Sequence, residues 1–362
     1  MNNDEKKQTA ESGDELKIDG LLRLTHGCED LARALSSEDR RRQWYNADAN
    51  AQTDDTQGRH DEVDVNLEVN EEISCEVRED LVVERFRRAG DLAPVVGASS
   101  GIGLAVAKEL APNVAKRTLC SRSYPEELLK SIKADNPNVE VVHEKLDVSL
   151  MHEVRKFTTK YADTQFDWIV MSPGIMTLNG RAETPEGLDV KMATHYYGRF
   201  MLVYDLLKGF NRLGARALNI FAAGHGGAID VNDLDLKHTY SGKRCADATT
   251  QYSDLMAQAF SEHAPKASFM HAMPGFVNTG LSKGLPWFLH VPVSELSTLF
   301  GRSPEACGKI MVSALLNDDY ATGWRLLDYN GKVAFTTKYH TEEAKNVVWK
   351  HTVNIIDDIM KQ

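Results

Sequence analysis

From about residue 92 onward the chain alternates short apolar, β-branched runs with longer stretches of helical period. Short buried strands with helices between them predict a parallel sheet covered on both faces. Val95-Val96 closes the first run and enters a turn containing Gly97, Gly101 and Gly103. Ile102, Val106 and Leu110 then recur on one face of a helix. Further strands are expected at 117–120, 139–143, 166–171, 217–222 and 267–271. Helices are expected at 126–134, 151–161, 190–211, 253–264, 303–316 and 347–360. The expected fold class is α/β, a single doubly wound parallel sheet of Rossmann type, spanning 91–362. Pro94 is out of place in that pattern. Proline cannot donate to a sheet ladder, so the first strand is expected to begin near Pro94 or Val95. Residues 278–295, interrupted by Gly and Pro and carrying Trp287 and Phe288, read as a lid-like segment.

The first 90 residues have a different texture. They hold 13 basic and 23 acidic side chains, and so carry almost all of the net charge of −11. They read as an acidic, largely disordered extension, with a short helix expected near 21–35. The remainder is close to neutral, which argues against a nucleic-acid partner. No run of about 18 apolar residues occurs, so no membrane span is expected. The five cysteines (28, 75, 120, 245 and 307) are scattered. They predict free thiols in a reducing compartment and no metal site. Met1 to Lys7 lacks the apolar core of a leader, and a cytoplasmic location is expected.

The glycine turn carries the first chemical signal. Gly97 permits a tight exit from the strand, and Gly101 lets backbone approach a pyrophosphate. Gly103 lets the helix pack on the strand. The helix N-terminus offers free N–H groups, starting at Ile102, and a positive dipole end. Ser99 and Ser100 add hydroxyls there.

The chain resembles the short-chain dehydrogenase/reductase family over roughly 92–340, in a divergent branch similar to the retinol-dehydrogenase-like enzymes. In that resemblance Gly97, Ser99, Ser100, Gly101, Ile102 and Gly103 form the pyrophosphate turn. Arg122 stands where a basic residue pairs with the 2′-phosphate of NADP, so NADP is expected in preference to NAD. Asp147 and Val148 match the adenine-contacting pair after the third strand. Met171-Ser172-Pro173-Gly174 stands for the usual Asn-Asn-Ala-Gly, of which Gly174 alone remains. Pro274-Gly275-Phe276-Val277-Asn278-Thr279 matches the segment that holds the nicotinamide carboxamide through Val277 and Thr279. The resemblance also implies a small-molecule substrate and pairing of two copies through the long helices.

The resemblance departs at the residues that move protons. Ala223 takes the place of the serine, Thr250 of the tyrosine, Asp254 of the lysine, and His195 of the helical asparagine. Hydride transfer to a carbonyl still needs a proton donor at the developing alkoxide. His195, Tyr252 and His225 are the candidates. The expected function is an NADP-dependent oxidoreductase interconverting an alcohol and a carbonyl with an altered catalytic set. The alternative is a catalytically inactive NADP(H)-binding pseudoenzyme that acts as a sensor or scaffold.

Overall fold

The computed structural model describes residues 92–111, 116–124, 126–135, 140–286, 295, 298 and 301–362. The N-terminal extension with its expected helix, and most of the lid-like segment, lie outside the described residues. Strands β1 (Leu92–Val96), β2 (Lys116–Ser121), β3 (Glu140–Lys145) and β4 (Trp168–Met171) form the first half of the sheet. Strands β5 (Arg216–Ile220), β6 (Ser268–Ala272) and β7 (Gly323–Leu327) form the second half. The sheet has seven strands in the order β3-β2-β1-β4-β5-β6-β7, and every pairing is parallel. Strand order reverses between β1 and β4, which opens a crevice at their carboxyl ends. β7 has no counterpart among the strands expected above. Its Gly-Trp-Arg-Leu-Leu sequence is short and only partly buried at the sheet edge.

Pro94 lies inside β1, not at its start. The carbonyls of Leu92 and Val96 accept from Asp167 and Ser172 on the β4 side, so Pro94 also faces that side. Pairing with β4 registers only at Val95–Val170 and Val96–Met171, beyond the missing donor. On the other side β1 pairs with β2 along all of its length, Pro94 opposite Thr118. A proline is accommodated in an interior strand because the ladder on its bare side registers only beyond it.

Helices α1 (Gly101–Glu109), α2 (Glu126–Asp135) and α6 (Pro304–Leu316) lie on one face. They share a core with the sheet through Val106, Leu129, Ile132, Met311 and Leu315. The other face carries α3 (Met151–Lys160), α4, α5 (Gly242–His263) and α7 (Glu342–Met360). α4 is the expected long helix in three parts: Val190–Met192, a π-helical turn Ala193–Tyr197, and Gly198–Phe210. α5 begins 11 residues earlier than its apolar period suggests, capped by Ser241, whose side chain accepts from the Arg244 N–H.

α7 lies across α4 and α5. The Trp349 ring sits 5.0 Å from Phe200 and 5.3 Å from Phe260, and stacks on His263 at 4.4 Å. Thr352 and His351 of α7 meet the hydroxyls of Tyr196 and Tyr197 at 2.8 and 3.0 Å. The described cysteines, Cys120, Cys245 and Cys307, are free and buried. Burial raises all three thiols, Cys245 to about 12 and Cys307 to about 11.

Phe200 is fully buried where α4, α5 and α7 meet. Phe200→Ala is expected to cost about 4 kcal/mol by leaving a cavity there, read as a lower urea midpoint at unchanged slope.

Candidate active site

Backbone meets backbone at the crevice between β1 and β4. Gly97 has φ +83° and Gly101 φ +57°, conformations that side chains disfavour. A Cβ on Gly97 would stand 2.7 Å from the backbone nitrogen of Pro173. One on Gly103 would stand 2.3 Å from the carbonyl oxygen of Gly97. α1 therefore rests directly on the end of β1, which places its N-terminal turn, whose first N–H groups have no intrahelical partner, at the crevice. Ser99 and Ser100 are exposed there, and the Ser100 hydroxyl makes no capping bond. Thr279 packs its methyl against Gly101, where a Cβ would come within 3.3 Å. Its hydroxyl accepts from the Leu281 N–H at 3.4 Å.

The other candidate cofactor residues lie along the same edge of the sheet. Arg122 is exposed directly after β2. Asp147, after β3, accepts from the backbone N–H and hydroxyl of Ser149 at 3.0 and 2.7 Å. Val148 is buried, and its carbonyl oxygen would be 1.9 Å from a Cβ on Gly198. Gly174 is exposed beside Leu281. Pro274 and Gly275 follow β6, Gly275 with φ +74° against Tyr329, and Val277 bridges to Arg302. A turn without room for Cβ atoms, free serine hydroxyls and an exposed arginine form a cradle that fits a dinucleotide phosphate.

The three proton-transfer candidates occupy different surroundings. His195 lies in the π-helical turn of α4 and is 8% exposed. Its Nε2 accepts from the Ile175 N–H at 3.2 Å, and its ring packs on Phe221 at 4.7 Å. Burial first, and then the Arg199 charge, lower its pKa to about 3, so the ring is neutral. Tyr252 is 1% exposed, donates to the Leu234 carbonyl at 2.9 Å, and packs edge-on against Tyr196. Burial raises its phenol well above the ordinary value. His225 is exposed on the loop after β5.

A buried pair went unseen in the sequence. Asp254, at the position of the expected lysine, turns inward to His271 on β6, with Oδ1 2.6 Å from Nδ1. Neither residue has exposed surface. His271 Nε2 accepts from the Ala222 N–H at 3.2 Å, which leaves the ring proton on Nδ1 for Asp254. Asp254 also accepts from the Gly224 N–H at 3.2 Å. The pair thus holds the Ala222–Gly224 turn that contains Ala223. The available signal was a histidine in an otherwise apolar strand, Phe269-Met270-His271-Ala272.

Residues 91–286 match the short chain dehydrogenase family, which is more than half of the chain. The chain belongs to that family. Short-chain dehydrogenases are oxidoreductase enzymes that use nicotinamide cofactors and act on small molecules. The chain is 24% identical over 308 residues to oxidoreductase AN1596 of Emericella nidulans, covering 72% of this chain and 91% of that protein. It is 26% identical over 234 residues to mouse polyprenol dehydrogenase, covering 60% and 68% of the two chains. A short-chain dehydrogenase/reductase from Serratia marcescens shares the fold, with TM-score 0.50, 18% identity, and 70% and 99% coverage. A protein from Mycobacterium paratuberculosis does so with TM-score 0.54, 17% identity, and 74% and 94% coverage. Among the described residues no helix is long and apolar enough to cross a membrane.

His195 gives the fold an acid sensitivity. Between its unfolded pKa near 6.5 and its native value of about 3, the unfolded chain takes a proton that the native ring refuses. Stability is then lost as pH falls, by up to about 1.4 kcal/mol per pH unit for this group. His195→Gln is expected to flatten the fall in urea-unfolding free energy between pH 6.5 and 4.5 by about 1–2 kcal/mol relative to the parent.

Proposed function

We propose that the chain is an NADP-linked oxidoreductase that interconverts an alcohol and a carbonyl. The observation that carries this reading is the phosphate turn at Gly97–Gly103, with exposed Arg122 directly after β2. No acidic residue follows that strand end through Tyr124 to oppose a 2′-phosphate. In this reading the first N–H groups of α1 and the hydroxyls of Ser99 and Ser100 hold the pyrophosphate. Arg122 pairs with the 2′-phosphate. Asp147 and Val148 border the adenine, while Gly174, Val277 and Thr279 border the nicotinamide. Pro274 and Gly275 shape the turn that delivers the last two.

A bound reduced nicotinamide would supply a hydride to a carbonyl carbon, and the carbonyl oxygen would then take one proton. His225 is the residue we assign to that proton. A histidine side chain can donate a proton near neutral pH, and His225 is exposed on the loop after β5. His195 and Tyr252 serve as walls in this reading, because the His195 Nε2 and the Tyr252 hydroxyl are already engaged. A cofactor-binding protein without turnover is the competing reading. What favours it is Asp254, whose carboxylate is bound to His271 instead of a ribose.

NADPH titration, followed by cofactor fluorescence and thermal stability, tests the first step. Binding by the parent that is abolished in Gly101→Asp is expected, and no binding by the parent ends the oxidoreductase reading. Arg122→Asp is expected to weaken NADPH at least about tenfold relative to NADH. Turnover of a carbonyl panel that falls at least about 100-fold in His225→Ala supports the assigned proton donor. Binding with no turnover of any carbonyl favours the sensor.

A further inference from the structure

The loop between β4 and α4 has little secondary structure of its own where it passes the crevice. It is held instead from one side by three residues spaced four apart on α4: Lys191, His195 and Arg199. The Lys191 ammonium donates to the Asn179 carbonyl and, at 2.9 Å, to the Tyr240 hydroxyl. His195 Nε2 accepts from the Ile175 N–H at 3.2 Å. The Arg199 guanidinium donates to the Pro173 carbonyl. Successive turns of the helix thus meet successive points of the loop, running in opposite directions. The π-helical turn Ala193–Tyr197 lies between the outer two contacts and carries the middle one.

Arg199 is the unusual member. It is 1% exposed, and its remaining donors reach the Thr194 carbonyl at 3.3 Å, the Ile220 carbonyl at 3.0 Å and the Asn219 side-chain oxygen. All four acceptors are neutral. Its face rests on Phe221, 5.3 Å from the ring centre. Burial lowers its pKa to about 9, which leaves it charged at neutral pH. A buried cation without a carboxylate is costly to keep, and the guanidinium fork is suited to gripping several oxygens at once. What it grips decides the consequence. Pro173 is the residue whose backbone lies against Gly97, the first glycine of the phosphate turn.

We propose that Lys191, His195 and Arg199 form a spine that holds the loop Pro173–Asn179 in place, and that Arg199 is thereby a positioning residue for the dinucleotide site. Arg199 sets the inner end of the loop against Gly97. Lys191 sets the outer end, where Met176 and Leu178 are exposed. The cofactor part rests on the function proposed above; the loop part does not.

Two measurements on the full chain separate these parts. Hydrogen exchange of the unliganded protein reads the loop directly. The Ile175 amide is expected to be protected at least about 100-fold in the parent and to lose that protection in His195→Ala. An Ile175 amide that exchanges freely in the parent overturns the spine. NADPH affinity reads the positioning role. Arg199→Met is expected to raise Kd at least about tenfold, whatever the direction of its change in melting temperature. Arg199→Lys, which keeps the charge but loses the fork, should fall between Met and the parent. A folded Arg199→Met protein with parental Kd overturns the positioning role. If Arg199→Met does not fold, Arg199→Lys decides: parental Kd overturns the role and raised Kd supports it. A parent that binds no NADPH refutes the proposed function and with it the positioning role, while the exchange result still decides the spine.

Discussion

The structure depends on one close approach of main chain to main chain. Gly97 and Gly103 touch at the start of α1, and Gly97 meets Pro173 where β1 and β4 part. None of these contacts leaves space for a side chain, so the shape of the crevice is set by backbone, which has few ways to relax. The remaining parts of the site are arranged around that point. Thr279 closes over Gly101 from the β6 side, and Arg199 holds Pro173 from behind. The helix that carries Arg199 is itself seated by Gly198 against the Val148 carbonyl. A shift at any of these positions is passed to the glycine turn through atoms already in contact.

Behind the crevice lies an uncommon density of buried polar side chains. His195, Arg199, Asp254 and His271 are each under a tenth exposed, and each makes a hydrogen bond to loop backbone or to another of the four. A buried polar group is tolerated when it is satisfied and expensive when it is not. These groups therefore leave the loops after β4 and β5 little freedom, because moving a loop would strand a charge or a ring nitrogen. In a site whose loops have little secondary structure, rigidity has been transferred to side chains on α4, α5 and β6. The residues expected from the sequence at the catalytic positions contribute to that framework: His195 holds the loop after β4, and Asp254 holds the turn around Ala223.

The glycine turn was legible because its shape is set by local conformation, and local conformation is what residue type governs. The order of strands and helices was legible because each strand is a short apolar run with helical period on either side. β7 escaped because an edge strand carries half the apolar signal. The π-helical turn escaped because residues 190–211 keep an apolar face throughout, and period does not report a one-residue insertion. Pro94 misled for a related reason: its cost depends on where the ladder with the neighbouring strand registers, and pairing with β4 registers only from Val95. The Asp254–His271 pair joins residues 17 apart in sequence across a helix and a strand. Neither residue alone says whether it faces water or the other.

The cysteines have a chemical consequence of their own. A thiol reacts as its thiolate, and at neutral pH a group with a pKa of 11 to 12 is ionised in only about one molecule in 10⁴ to 10⁵. Cys245 and Cys307 fall in that range, and Cys120 is raised further; all three are shielded from solvent. Peroxides and alkylating agents therefore find no ready target at these three positions while the chain stays folded. A thiol-reactive dye would instead register the opening of the sheet, with Cys307 on α6 reporting the face that carries α1, and Cys120 on β2 and Cys245 on α5 the opposite face.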